Sequence, residues 1–357
     1  MLSWLKKWYT HKFSDPQVVV LFLMLLIGFL AIYWLGGILA PLLVAIAFAY
    51  LLEWPVARLS RMGLSRSIST TLVVMTFLTL STLILMWIMP LFWHQGRTLL
   101  RDMPIMIEQG RQYLLELPDA FPGMISTEQV NIFMQSVDER LMAFGRDMLS
   151  LSLASIVDLV ALMIYLILVP LLVFFMLKDK KLLQERFTAL LPSERKLISQ
   201  VWHEMNLQIM NYIRGKILEI IIVGAVSYAV FAMFGLNYPL LLGVLVGFSV
   251  LIPYIGAAVV TLPIALVALF QWGFSAQFGY LMLAYGLIQA LDGNLLVPLL
   301  FAEAIDLHPV FIIVAVLFFG GLFGFWGIFF AIPLASLVKA TITAWSTRVH
   351  PATEVPE

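Results

Sequence analysis

Asp292 is the residue whose type and position most clearly predict chemistry. Residues 220–291 contain no charged side chain, and Asp292 follows them near the middle of the apolar run 280–301. A carboxylate at the centre of a membrane-spanning helix costs at least ~2.5 kcal/mol, so it should face the protein interior or water. Gln289 lies three residues earlier on the same helical face, and Asn294 lies two residues later. These side chains could bind a cation or a polar solute.

The sequence Asp292-Gly293-Asn294, followed by Pro298, predicts an unwound break within this run. Glycine weakens a helix and proline removes a backbone donor. Such breaks expose carbonyl groups and helix ends that can coordinate ions or solutes. A second interpretation stays open, in which Asp292 caps a half-helix that starts after the break. The two roles are compatible, since a cap at a binding site serves both.

Two broken apolar segments, 240–270 and 309–339, are the elements most able to position such a site. Neither contains a charged side chain before Lys339. Their matching residues are offset by 70, 71 and 70 positions, and the pairs are Pro239 with Pro309, Gly256 with Gly327, and Pro263 with Pro333. The second half of the chain therefore resembles a weak duplication. Broken segments in matching places of two repeats point to a transporter's substrate site.

Each broken segment has a helix-disrupting tip that could contribute to the site. The candidate residues are Pro253, Tyr254 and Gly256 in the first tip, and Gly324 and Gly327 in the second. Each segment is either one kinked, tilted span or a re-entrant hairpin, and the hairpin is the favoured interpretation. The tips of two hairpins would lie near the membrane midplane. Exposed backbone is tolerated there only against protein or a water-filled cavity.

The composition is that of a membrane protein. Hydrophobic residues make up 62% of the 357 residues and charged residues 12%, far from soluble averages, and the mean hydropathy is +0.99. The net charge is zero, which excludes the basic surface that nucleic-acid binding requires. There is no cysteine, and no phosphate loop, serine elbow or dinucleotide fingerprint. We therefore expect no enzymatic activity, no metal site and no cofactor.

Apolar runs of spanning length predict further crossings, at about twenty residues for each crossing of a bilayer. The predicted spans are 18–35, 38–52, 68–93, 151–177, 216–234 and 280–301, with a turn at Gly36-Gly37 between the first two. Together with the broken segments, they predict an all-α polytopic membrane protein. It would have six to eight transmembrane helices and a small helical extracytoplasmic segment.

Basic residues predict the orientation of the chain. The N-terminus, the loop between the second and third spans and the loop after residue 177 are basic and should face the cytoplasm. Lys216 is counted with the last of these loops, and Glu219 is placed at the inner end of its span. The predicted parts are N-terminal helices 1–93, a periplasmic helical segment 94–150, a helix 151–177, a cytoplasmic helical loop 178–215, a transport core 216–340 and a cytoplasmic tail 341–357.

The two segments outside the membrane are both predicted to be helical. In the periplasmic segment, Ser126 and Gln129 could form a capping box, and an apolar seam follows at Val130, Met134, Val137, Leu141, Phe144 and Met148. This seam packs against the preceding helix or, in a second interpretation, against another subunit. The cytoplasmic loop carries an apolar face at Ile198, Val201, Met205, Ile209 and Tyr212, which predicts a helix along the membrane surface.

An ordered series of short motifs resembles the autoinducer-2 exporter family of bacterial membrane transporters. The motifs are Phe174-Phe175-Met176-Leu177-Lys178-Asp179, Asn211-Tyr212-Ile213-Arg214-Gly215-Lys216, Pro253-Tyr254-Ile255-Gly256, Asp292-Gly293-Asn294 with Pro298, and His308-Pro309. The match extends to a permease branch of the family through Leu39-Ala40-Pro41-Leu42-Leu43 and Tyr50-Leu51-Leu52-Glu53-Trp54-Pro55. The resemblance implies a multi-pass inner-membrane transporter that forms homo-oligomers in the lipid bilayer. It also implies a substrate or gating region at Asp292, Asn294, Pro253, Tyr254 and Gly256.

Three functions follow as hypotheses. The first is a secondary transporter that exports a small polar solute, such as autoinducer-2, through a site at the two broken segments. The second is a sodium/proton antiporter in which Asp292 titrates. The third is a membrane-anchored scaffold whose segment 94–150 binds a partner. Repeated breaks and a buried carboxylate favour transport over the scaffold.

Overall fold

The protein is built of helices. The computed structural model describes residues 16–120, 126, 128, 130–132, 134–136, 139, 155–189, 196–301 and 307–349. The first helices are α1 (Pro16–Arg61), α2 (Arg66–Ala120), α3 (Ser155–Lys178), α4 (Lys180–Ala189) and α5 (Lys196–Phe234). They are followed by α6 (Pro239–Ser249), α7 (Ile255–Trp272), α8 (Ala276–Leu291), a π-helical turn (Asp292–Leu296), α9 (Val297–Phe301), α10 (Pro309–Phe329) and α11 (Ala331–Val349).

The all-α polytopic fold that the sequence predicts is confirmed. Among the described residues, six helices are long and apolar enough to cross a membrane. A seventh span is possible if the pair formed by the C-terminal part of α3 and α4, bent by 79°, counts as one. No strand occurs in the described parts of the chain.

The first predicted turn is wrong, because Gly36 and Gly37 lie inside the continuous helix α1. In lipid, a helix satisfies its backbone groups internally, so two glycines are not enough to end it. Pro41 and Pro55 are also accommodated within α1. The predicted spans 18–35 and 38–52 are therefore one helix of 46 residues.

Helix α2 is also longer than predicted. Its 55 residues give a length of about 80 Å, well beyond the bilayer. The predicted span 68–93 thus continues without a break to Ala120, and we call residues 94–120 the α2 extension. In the predicted seam beyond it, Val130 and Met134 are buried. The seam residues Val137, Leu141, Phe144 and Met148, together with Gln129 of the capping box, lie outside the described residues.

Helix α5 joins two parts that the sequence separates, the loop 178–215 and the span 216–234. The predicted apolar face of the loop exists, and Val201, Met205 and Tyr212 are buried. However, this face packs against α1 and α11. The prediction that it lies on the membrane surface is therefore wrong.

Hairpin 1 consists of α6, a tip at residues 250–254 and α7. Its two ends meet, because the Asn237 N–H donates to Gln271 Oε1 (2.7 Å) and Gln271 Nε2 donates to the Gly235 carbonyl (2.7 Å). The two arms pack together in a core that includes Leu242, Val246, Val260 and Ile264. The segment returns to the side on which it starts, so the favoured hairpin interpretation has the correct chain path.

Hairpin 2 consists of α10 as far as residue 323, a tip at residues 324–330, and α11. Gly324, with φ 60° and ψ −137°, breaks the helical backbone. Phe319 and Phe323 before the break pack with residues that follow it, namely Ile328, Ala331 and Leu334. The chain therefore reverses its direction here as well, and the two broken segments have the same chain path.

The backbone of the two tips confirms the relation between the repeats. The residues with positive φ are Tyr254 (63°) and Gly324 (60°), which lie 70 positions apart. In each hairpin, a Cβ added at one glycine would overlap a carbonyl oxygen of the preceding arm; the pairs are Gly256 with Ser249 and Gly327 with Phe319. Only glycine allows the two arms to approach this closely at the tip.

Hairpin 1 reaches far along α5 because α6 packs closely against it. A Cβ at Gly247 would lie 2.8 Å from the Ile220 carbonyl oxygen and 3.1 Å from the Gly224 Cα. Such glycine contacts are typical of closely packed membrane helices. The tip of hairpin 1 is thereby placed beside the middle of α5, near Lys216.

Candidate functional site

One face of α5 contacts the tips of both hairpins. The Lys216 ammonium donates to the carbonyl of Val250 in tip 1 (3.0 Å), and the Tyr212 hydroxyl donates to the carbonyl of Phe329 in tip 2 (2.9 Å). Residues four apart share a helical face. We call these two hydrogen bonds the tip bonds. They identify the meeting point of the two repeats.

Lys216 forms a buried ion pair next to tip 1. Its Nζ lies 2.7 Å from Glu219 Oε2, and the two side chains are only 4% and 3% exposed. The ammonium also lies 5.2 Å from the centre of the Phe301 ring. A buried charge is tolerated when it is paired and hydrogen-bonded. A carboxylate, a carbonyl and an aromatic ring therefore surround the Lys216 ammonium.

Asp292 lies at the start of the π-helical turn that follows α8. The predicted unwinding is wrong, because the Val297 N–H donates to the Asp292 carbonyl and the helix continues into α9. The interpretation of Asp292 as the cap of a new half-helix is wrong for the same reason. A π turn is a local widening of the helix that is common at functional sites. The proline and glycine that predict a break are accommodated by this widening.

The π-helical turn that begins at Asp292 contacts α5, the helix that carries the ion pair. Oδ1 of Asp292 is buried and has no hydrogen-bond partner among the described residues. Nε2 of Gln289, one turn earlier, is also buried and lies near the Tyr285 hydroxyl. Oδ1 of Asp292 is available to a ligand, because leaving a carboxylate oxygen buried and unpaired is costly. The structure thus brings Asp292 and Gln289 to the region where tip 1 meets α5.

The remaining predicted residues have different environments. Asn294 is exposed, and its amide donates to the Ala290 carbonyl of its own helix (2.8 Å). Tyr254 lies in tip 1 with its side chain 60% exposed. Pro253 precedes it, and its carbonyl accepts from the Ile255 N–H (2.7 Å). Gly256, Gly324 and Gly327 shape the tips as described above.

A cavity of about 380 Å³ lies on the other side of tip 2. Its walls come from α1, α5, α10 and α11 and are largely apolar, with Phe323, Trp326 and Phe330 contributed by hairpin 2. Its lining includes Tyr50, whose hydroxyl donates to Asn206 Oδ1 (2.8 Å), and the tryptophans Trp202 and Trp326, whose indole N–H groups are further donors. This volume is within the range of small-molecule sites.

Sequence reasoning missed Tyr212, Lys216 and Glu219 as site residues. Lys216 was assigned to a cytoplasmic loop and Glu219 to the membrane interface, but both are buried inside the protein. The available signal was their spacing, since opposite charges three residues apart on a helix can pair. The spacing alone does not show depth, because a lysine near a helix end normally extends to the interface.

The chain matches a known protein family over most of its length. The model of the family described as "AI-2E family transporter" matches residues 22–347. The chain belongs to the AI-2E transporter family. This membership confirms the resemblance that the ordered motifs indicate, and it covers both hairpins, α5 and the π turn.

Relatives extend along nearly the whole chain. The "Putative permease PerM" of Escherichia coli (strain K12) is 50% identical over 345 residues, which are 97% of this chain and 98% of that protein. The "Putative transport protein YueF" of Bacillus subtilis is 26% identical over 87% of this chain and 84% of its own. A transport protein of Synechocystis is 25% identical over 96% of this chain and 88% of its own. Membership of this AI-2E family agrees with transport as the general function.

Proposed function

We propose that this AI-2E family member is a secondary transporter that exports a small polar solute through the region between the two hairpin tips. The observation that carries the proposal is the convergence of both tips on one face of α5, where tip carbonyls receive the tip bonds. Broken helices of two repeats that meet at buried polar groups are the usual architecture of a transporter site. Catalysis is not part of the proposal.

The solute would find two kinds of surface there. Lys216, Asp292 and Gln289 supply charged and polar groups at tip 1, whereas the cavity at tip 2 is largely apolar. A small neutral molecule with several hydroxyl groups, of which autoinducer-2 is the candidate, could hydrogen-bond at tip 1. The bilayer in question would be the bacterial inner membrane, with both termini in the cytoplasm and the protein assembled as a homo-oligomer.

The experiment is autoinducer-2 efflux from proteoliposomes that contain the wild type, Asp292→Asn or Asn294→Ala. We expect efflux above that of empty liposomes for the wild type and for Asn294→Ala, because Asn294 is exposed. Asp292→Asn should lose at least about 90% of the rate, as expected when a charged ligand contact worth roughly 1.5–3 kcal/mol is removed. Absence of efflux from correctly assembled wild type would contradict the proposed solute.

A second function is favoured by one specific observation: Oδ1 of Asp292 is buried, has no hydrogen-bond partner among the described residues, and lies in a turn that contacts α5. A carboxylate in this position could exchange a proton for a sodium ion. Sodium flux that depends on a pH gradient and disappears in Asp292→Asn would support antiport. The same flux in Asp292→Asn and in the wild type would remove this alternative.

The scaffold hypothesis receives less support from the contacts of the α2 extension. Tyr238 donates to Asp102 (2.7 Å) and the Leu241 N–H donates to Gln95 (2.9 Å), so this part of α2 binds the base of hairpin 1. Two polar side chains of the α2 extension are thus engaged within the chain. Deletion of 94–150 should therefore reduce transport as well as any partner binding.

A further inference from the structure

We propose that Lys216 and Tyr212 are positioning residues, each of which holds one hairpin tip closed against α5. The part of this role that concerns transport rests on the proposed function. The tip bonds themselves, and the experiment that tests them, do not depend on it. The two donors lie one helical turn apart on α5 and end on carbonyls of different hairpins. Each tip would therefore open when its own bond is broken.

Lys216 occupies the place where tip 1 most needs a donor. Val250 follows the last residue of α6, so its carbonyl belongs to the helix end, where no intrahelical N–H is available. In an apolar environment such a carbonyl must find another partner. A cation is the favoured partner, because the C-terminal end of a helix carries partial negative charge. Lys216 satisfies both requirements.

Glu219 keeps the lysine in this position. A lysine side chain has four flexible carbons, and its ammonium would otherwise move toward the membrane surface. The carboxylate at 2.7 Å, one turn further along α5, fixes the direction of the ammonium and balances its charge. Glu219 thus acts on tip 1 through Lys216, without a hydrogen bond of its own to the tip.

Tyr212 performs the same task for tip 2 with a neutral group. Its side chain is fully enclosed, and its ring lies against Phe301 and Phe329 (5.8 and 6.4 Å between ring centres). The hydroxyl donates to the Phe329 carbonyl at the point where α10 ends. The surroundings are apolar, so a tip that moves away from Tyr212 leaves this carbonyl without a partner until water enters.

The absence of cysteine from the sequence allows a direct test. Val250→Cys reports on tip 1 and Ala331→Cys on tip 2, because both native side chains are buried and face protein. The rate of maleimide modification is measured for each reporter in membrane vesicles. Tip 1 is released with Lys216→Met/Glu219→Gln, which removes both charges of the ion pair together, and tip 2 with Tyr212→Phe.

We expect Lys216→Met/Glu219→Gln to raise the modification rate of Val250→Cys by about tenfold and that of Ala331→Cys by less than about twofold. Tyr212→Phe should raise the rate at Ala331→Cys by a few-fold to about tenfold and leave Val250→Cys unchanged. Lys216→Arg retains a cationic donor and should stay within about threefold of the wild-type rate at Val250→Cys. The matched control is Lys180→Met, whose lysine pairs with Glu53 (2.9 Å).

Several results would overturn the inference. Unchanged rates at both reporters would show that the tip bonds do not hold the tips. An equal increase at both reporters in either variant, or an increase in Lys180→Met, would indicate general loosening. Tyr212→Phe removes one oxygen only and should assemble normally. If the double variant fails to assemble, the effect of Tyr212→Phe on the modification rate of Ala331→Cys is the deciding result. Because modification needs no solute, failure here is distinguishable from absence of transport.

Discussion

Hairpin 1 and hairpin 2 share the geometry of their tips but differ in what holds them. Hairpin 1 is fixed by polar contacts at both ends, through Lys216 at the tip and through Gln271 and Tyr238 at the base. Hairpin 2 is held mainly by aromatic packing, with a single neutral hydrogen bond from Tyr212 to the tip. A duplicated element has thus been fitted to one polar and one apolar environment.

This difference has a consequence for movement. Charged hydrogen bonds resist opening more than neutral ones. The hydrophobic effect is non-directional, so an apolar surface can slide while it stays buried. Hairpin 2 also faces the cavity of about 380 Å³, whereas the base of hairpin 1 is bonded to the α2 extension. We expect hairpin 2 to be the part that moves more easily and hairpin 1 to be the more fixed part.

The largest effect should come from the glycines that the hairpins share. Gly256→Ala and Gly327→Ala each place a Cβ onto a carbonyl oxygen, so either tip must open at a cost of about 1–3 kcal/mol or more. We expect both variants to lose transport and to melt at lower temperature in detergent. Gly286→Ala is the matched control, because nothing lies within 4 Å of its Cβ position. If only one of the two variants loses transport and stability, the two tips are not equivalent.

The second prediction separates the charged tip bond from the neutral one. Lys216→Met leaves Glu219 buried without its partner, which costs about 3–5 kcal/mol. Tyr212→Phe removes a neutral hydrogen bond and should cost about 1–2 kcal/mol. Thermal melting of the purified variants measures both. Lys216→Met/Glu219→Gln should recover much of the loss, and a double variant as unstable as Lys216→Met would show that the pair is not what stabilises tip 1.

The hairpins could be predicted from the sequence, whereas the residues that hold them could not. The hairpins depend on local backbone geometry, which is determined by residues close in sequence. The relevant residues are Pro239, Gly256 and Pro263 and their counterparts in the second repeat. Asp292 was found because a lone carboxylate in an apolar run is conspicuous. Its environment was not found, because a widened π turn and an unwound break have the same glycine and asparagine signature.

Lys216 and Glu219 show more clearly what the sequence does not predict. Their depth in the protein depends on how far hairpin 1 extends along α5. This is set by contacts such as that between Lys216 and Val250, which lie 34 residues apart in the chain. A basic residue beside an apolar run is normally an interfacial residue, and nothing local distinguishes the buried case. The continuous helix α1 was missed for a related reason, since glycine pairs end helices in water more readily than in lipid.

The third prediction concerns pH and the base of hairpin 1. Burial, together with the hydrogen bond to Asp102, raises the pKa of Tyr238 from 10.0 to about 12. The protonated hydroxyl is favoured in the folded state, so its stabilisation is complete below pH 10 and is lost as the pH rises to about 12. Tyr238→Phe should cost about 1 kcal/mol at neutral pH and nothing above pH 12. The difference in melting temperature between the two proteins across this range measures it, and a difference independent of pH would contradict the assignment.

The smallest effect is expected at the equivalent position of hairpin 2. His308 precedes α10 as Tyr238 precedes α6, 70 residues earlier, and its Nδ1 accepts from the Val310 N–H at 3.3 Å. This bond is long and exposed, so His308→Ala should cost about 0.5 kcal/mol or less, at the low end for a helix cap. Melting of His308→Ala and Tyr238→Phe under identical conditions compares the two bases directly. If His308→Ala is the more destabilising of the two, the base of hairpin 2 is anchored at least as firmly as that of hairpin 1. The greater freedom expected for hairpin 2 would then have to come from its tip alone.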